Sequence, residues 1–204
     1  MSEEVFEMLC SMDRRKVELQ IVMQCAPTLA GLKTSNLLIL PKNMEDEARH
    51  ALQQTNLSGY RLVYDRNRVV FLVFNRAMLE EYLEDAGVHH FLTEYGYEQK
   101  SFGYAMRTFQ QRYEEYIKNR DVFPHEIGVF LGYPLCDVRG FIDKQGEEFL
   151  ATGYWKVYGD VKNTKRLFQR FDIVKDEMIC KVFEGHSVRE IAQSYDRKCT
   201  WATA

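Results

Sequence analysis

Apolar residues recur at two spacings along this chain, and the spacings sort it into elements. Val5, Phe6 and Leu9 share one helical face, which predicts a short helix over residues 3–12. Lys16 to Cys25 mixes apolar and polar positions and is read as a second helix. Pro27 should break it, because proline has no N–H to donate and its ring crowds the preceding turn. Asn36 to Leu40 is a short apolar run bounded by Pro41 and reads as a buried strand. Asn43 is placed to cap a helix whose first turn carries Glu45, Asp46 and Glu47 and which runs to about Asn56. YRLVYD and RVVFLVFN, joined at Arg66-Asn67, predict a β-hairpin over residues 60–75. Asn75 then opens a helix to Glu84 that turns Met78, Leu79, Tyr82 and Leu83 inward, and Gly87 should end it.

The second half is mainly helical in pattern. Residues 88–95 read as a short helix. From Ser101 to Arg120, Phe102, Met106, Phe109, Tyr113 and Ile117 recur at three- and four-residue steps, the stripe of a long amphipathic helix. Such a stripe could cradle a flat cofactor or simply build a core. Asp160 caps a long helix to Glu184 that Gly185 stops, and Ser187-Val-Arg-Glu190 is a capping box that opens the last helix. The tail over residues 197–204 is expected to fray. The expected fold is α+β: a small antiparallel sheet from the 60–75 hairpin and the 36–40 strand, helices on one face, and a mostly helical C-terminal half. It is read as a single domain over 1–204, with a sheet-containing part at 36–100 and a mainly helical part at 101–195.

Composition narrows the class. A length of 204 residues suits one domain or a domain with a small appendage, and 46% hydrophobic residues are ample for a core. A formal charge of −3 does not favour non-specific nucleic-acid binding. No apolar run approaches a membrane span, and the N-terminus has no apolar signal core. The five cysteines, Cys10, Cys25, Cys136, Cys180 and Cys199, form no close pair, which points to reduced thiols in the cytoplasm. HExxH, P-loop and GxGxxG motifs are absent. His89 and His90 are adjacent, so on a helix their side chains diverge and no metal site is expected.

One stretch concentrates position-specific residues: Phe123 to Ile142, FPHEIGVFLGYPLCDVRGFI. Glu126 to Gly132 reads as a short helix stopped by its glycine, and Pro134 as the start of a second helix carrying Leu135, Val138, Phe141 and Ile142. The pattern resembles the helix-turn-helix of DNA-binding proteins, with Gly128 as the small residue of the first helix. A reader of DNA needs cations and polar side chains. This second helix offers chiefly Leu135, Cys136, Asp137 and Arg139, so a packing corner is the competing reading. His125 and Glu126 stand where the first helix begins, suited either to an anion or acid-base role or to capping and dipole compensation.

Two further segments stand out. In Cys25-Ala-Pro-Thr-Leu-Ala-Gly-Leu-Lys33, Cys25 is either core or a nucleophile, and Lys33 between apolar neighbours calls for an anion. In Gly153-Tyr-Trp-Lys-Val-Tyr-Gly159, Tyr154, Trp155 and Lys156 either meet a ligand or form an edge strand. These three segments together resemble an uncharacterised family of anaerobic Firmicutes known only by a domain-of-unknown-function label. The resemblance covers most of the chain and brings no assigned activity. Members of that family often occur near flavodoxin and ferrous-iron genes, which implies a role in iron or redox physiology.

The leading expectation is a cytoplasmic ligand- or cofactor-binding or accessory protein. Lys33, His125, Glu126, Tyr154, Trp155 and Lys156 would meet an anionic small molecule, a phosphate or the acidic group of a flavin or haem. The alternatives are a DNA-binding regulator using residues 123–142, with a dimer supplying cations such as Arg107, Arg112, Lys118 and Arg120 from the preceding helix, a Cys/His enzyme using Cys25, His125 and Glu126, and an adaptor for a redox partner protein.

Overall fold

The computed structural model describes residues 2–99, 101–119 and 123–201, with side chains described through Asp196. The chain divides into two compact units: Met1–Arg76 with Gln169–Ala204, and Ala77–Phe168.

The first unit holds α1 (Glu3–Ser11), α2 (Val17–Leu29), β1 (Ser35–Pro41), α3 (Glu45–Gln53), β2 (Ser58–Tyr64) and β3 (Arg68–Phe74). The later part of α9 (Val161–Phe183) and α10 (Val188–Trp201) complete it. The sheet is antiparallel in the order β1-β3-β2. The hairpin closes where expected, because the Asp65 carboxylate accepts the N–H groups of Asn67 and Arg68 at 2.9 and 3.0 Å. Val69, Phe71 and Val73 of the central strand share one core with Ile21, Val22 and Cys25 of α2, Ala48 and Leu52 of α3, and Met178, Ile179 and Ile191 from the C-terminal helices. The α+β architecture is therefore the one expected.

Four local expectations are corrected. Pro27 does not end α2, which runs on to Leu29. The missing donor costs one rung near the helix end, while Cys25, Ala26, Pro27, Thr28 and Leu29 are all buried, so packing outweighs the lost bond. Asn43 caps nothing: it lies in a 3-10 turn, Lys42–Met44, and α3 starts without a side-chain cap. Instead Glu45 ties its first turn to Arg49 and Arg61 at 2.9 and 3.0 Å. The 36–40 run is not wholly buried, since Ile39 is 42% exposed between buried Leu38 and Leu40. Finally, Gly87 ends no helix. The Asp85 carboxylate caps the following helix by accepting from Gly87 and Val88 at 2.9 and 3.0 Å.

The second unit holds most of α4 (Arg76–Glu84), α5 (Ala86–Thr93), α6 (Phe102–Asn119), α7 (Ile127–Phe130), α8 (Leu135–Asp143) and a two-stranded hairpin of β4 (Ala151–Thr152) and β5 (Lys156–Val157). The stripe on α6 is core: Ala105, Met106, Phe109 and Tyr113 are buried, and Phe109 stacks on Phe130 with ring centres 4.2 Å apart. The capping box forms as read, with Ser187 and Glu190 bonded reciprocally at 2.8–3.3 Å. The backbone of α10 is helical to Trp201, and the rest of the expected frayed tail, residues 202–204, lies outside the described residues. Among the described residues, no helix is long and apolar enough to cross a membrane.

Candidate functional site

The central stretch folds as helix, turn, helix. Gly132 takes a φ of +69° at the turn, and the Tyr133 N–H reaches back to the Gly128 carbonyl at 2.9 Å. Gly128 is required by the closeness of α7 and α8: a Cβ there would stand 2.8 Å from Val138 Cγ2. Asp137 then locks the aromatic hairpin to α8. Its carboxylate, 2% exposed as a residue, accepts from Trp155 Nε1 at 2.8 Å and from the N–H groups of Tyr158 and Gly159 at 2.7 and 2.8 Å. Gly153 lets the hairpin pass against Phe168, whose ring would lie 2.4 Å from an added Cβ.

These contacts bring two of the three segments onto one cavity of about 270 Å³. Phe123, His125, Leu131, Val138 and Phe141 line it from the central stretch, and Tyr154, Trp155 and Lys156 from the hairpin. The walls are largely apolar and aromatic. The His125 ring lies between Phe123 and Phe141, with centres 5.3 and 5.8 Å away. Its Nδ1 is buried and has no hydrogen-bond partner among the described residues. The Lys156 ammonium donates to the Gly146 carbonyl at 2.5 Å and lies 4.8 Å from the centre of the Phe149 ring. Among the described residues it has no carboxylate partner. Trp155 is 8% exposed, stacked on Tyr133 at 4.8 Å and edge-on to Phe168 at 4.6 Å, so it is a fixed wall.

The other predicted residues fall elsewhere. Glu126 is fully buried and points away from a capping geometry: its side chain makes no cap hydrogen bond. Its carboxylate accepts instead from the Arg112 guanidinium and from the Tyr97 hydroxyl, the latter at 3.2 Å. That bond holds the Arg112 pKa above its ordinary value. The four residues of α7 are also too few for a helix dipole that would draw an anion. Lys33 and Cys25 belong to the first unit. Lys33 is 5% exposed and donates to the Ser35 carbonyl at 2.7 Å; burial lowers its pKa to about 7. Burial pushes the Cys25 thiol up to about 12, the reverse of what a nucleophilic thiolate needs.

Four cations near the helix-turn-helix are already engaged. Arg139 on α8 stands 3.6 Å from Glu94 and over the Phe91 ring, and Lys144 is 3.2 Å from Glu148. On α6, Arg112 is held by Glu126 and Lys118 by Glu114 at 3.2 Å. Arg120 lies outside the described residues. Gly140 of α8 is covered by the Tyr158 ring.

Sequence reasoning named four residues of the lining, His125, Tyr154, Trp155 and Lys156, but gave no role to Asp137, which builds the cavity. The available signal was a carboxylate four residues before Phe141, and so on the same helical face as that apolar position.

The fold and this site define an α+β protein with a small, aromatic-walled cavity in its second unit. The chain belongs to the family described as “Protein of unknown function (DUF3793)”, which it matches over residues 21–192. No curated protein and no solved structure matches it.

Proposed function

We propose that this chain is a small-molecule-binding protein of the cytoplasm and that the cavity of the second unit is its binding site. The observation that carries the reading is the meeting of His125, Tyr154, Trp155 and Lys156, from segments some thirty residues apart, around one largely apolar cavity. An apolar cavity with a few convergent polar groups is the usual form of a small-molecule site. A flavin or haem would link the protein to iron and redox physiology, as the family resemblance implies. A cavity of about 270 Å³ sits just below the ~300–1,000 Å³ common for drug-sized ligands, so such a cofactor would leave much of its body outside.

An adaptor role is supported by a separate observation. Phe149 and Leu150, just before the hairpin, are exposed, Leu150 by 62%, and a partner protein would cover them. Native mass spectrometry with an absorbance trace, on protein purified anaerobically from its host, separates the two. A bound small mass supports the cavity reading and a flavin or haem band names a cofactor. An apo mass accompanied by a stoichiometric protein partner overturns the cavity reading in favour of the adaptor.

A further inference from the structure

We propose that the cavity of the second unit selects a small apolar monocarboxylate, a compact hydrocarbon or aromatic body bearing one carboxylate, over its neutral isosteres and over phosphate esters. This rests on the ligand-binding reading above and adds the chemical class.

Charge fixes the number of negative charges. Among the described residues the lining holds one cation, Lys156, and it has no carboxylate partner. An ammonium carries three donors, and Gly146 takes one of them. Asp137, the one carboxylate of the described lining, is 2% exposed and turns its oxygens to Trp155, Tyr158 and Gly159, so little of it faces a ligand. A single negative charge is therefore matched. A phosphate monoester would bring close to two, and the second would lie against Phe123, Phe141 and Leu131 without a counter-charge, which is costly to desolvate. Neither an arginine nor a phosphate-cradling loop contributes to the described lining.

Geometry fixes the body. Phe123, His125 and Phe141 form a continuous aromatic wall, and the volume of about 270 Å³ suits a ring with a short chain. The polar group that the lining offers a ligand is the Lys156 ammonium, whose two N–H groups beyond the one given to Gly146 can meet the oxygens of one carboxylate.

The test is titration of the full chain with phenylacetate, phenylacetamide and phenyl phosphate, followed by calorimetry. Phenylacetate is expected to bind about tenfold or more tightly than the other two, the factor that one charge-assisted contact supplies. Lys156→Gln should erase the preference for acid over amide, and Lys156→Arg should retain it. Equal binding of acid and amide, tighter binding of phenyl phosphate, or an unchanged preference in Lys156→Gln would overturn the carboxylate assignment while leaving the cavity reading intact. Failure of all three probes would overturn both. Should Lys156→Gln not fold, the ranking of the three probes on the wild type and on Lys156→Arg still decides.

Discussion

Replacing Asp137 with alanine removes the acceptor that joins α8 to the aromatic hairpin. The indole N–H of Trp155 and the backbone N–H groups of Tyr158 and Gly159, now at 2.7–2.8 Å from the carboxylate, all lose their partner. A buried donor left unpaired costs about 1–3 kcal/mol, and water entering the vacated space recovers part of that. The net loss should be about 3–5 kcal/mol, in line with removing one side of a buried charged network. For a chain of 204 residues, at roughly 2–4 °C per kcal/mol, this lowers the melting temperature by about 6–20 °C. Asp137→Asn is the control: its oxygen can keep the two backbone donors, but its amide group meets the Trp155 N–H donor to donor. It should lose roughly half as much. Trp155 fluorescence during heating or urea titration reports the transition. An alanine variant melting within about 2 °C of the wild type would refute the argument that this carboxylate holds the hairpin.

Gly153→Ala forces a Cβ to within 2.4 Å of the Phe168 ring and should cost about 1–3 kcal/mol, read as a lower urea midpoint. Stability should also depend on pH through the first unit. Lys33 has a folded pKa lowered from 10.5 to about 7, so the unfolded chain binds more protons in that interval and stability rises as pH increases above about 7. Cys25 is raised from 9.0 to about 12, so the folded chain retains the proton and stability falls above pH 9. Urea midpoints should therefore climb between pH 7 and 9, and Lys33→Met should flatten the climb; a midpoint that does not move over this range in the wild type refutes the burial argument. Iodoacetamide on the native protein should alkylate Cys10 and Cys136, both exposed, and spare Cys25, as peptide mass mapping would show. Ser187→Ala should cost about 1 kcal/mol by removing the cap of α10, measured by chemical denaturation.

The hairpin, the α6 stripe and the helix-turn-helix were legible because each depends on spacing within a few residues. The cavity was half legible. His125, Tyr154, Trp155 and Lys156 were marked by unusual neighbours, yet their meeting depends on Asp137, whose partners lie 18 to 22 residues ahead. Pro27 and Glu126 misled for one physical reason. Local rules assign a proline to a break and a first-turn acid to a dipole, while burial against neighbours far along the chain decided both. Lys33 was marked as a lysine needing a partner, and it found a backbone carbonyl two residues away.

The first unit is assembled from both ends of the chain, with the second unit spliced between them. Met178, Ile179 and Ile191 belong to the same core as Ile21, Leu38 and Phe71, so that core stays open until the ribosome has made the last helices. At roughly 5–20 residues per second the sheet emerges on the order of ten seconds before its closing helices do. The second unit is continuous in sequence and is made whole within that wait. During synthesis, then, the cavity-bearing unit can be complete while α2 and α3, which cover the sheet, still wait for α10 to pack on them, and their apolar faces are where a chaperone would act.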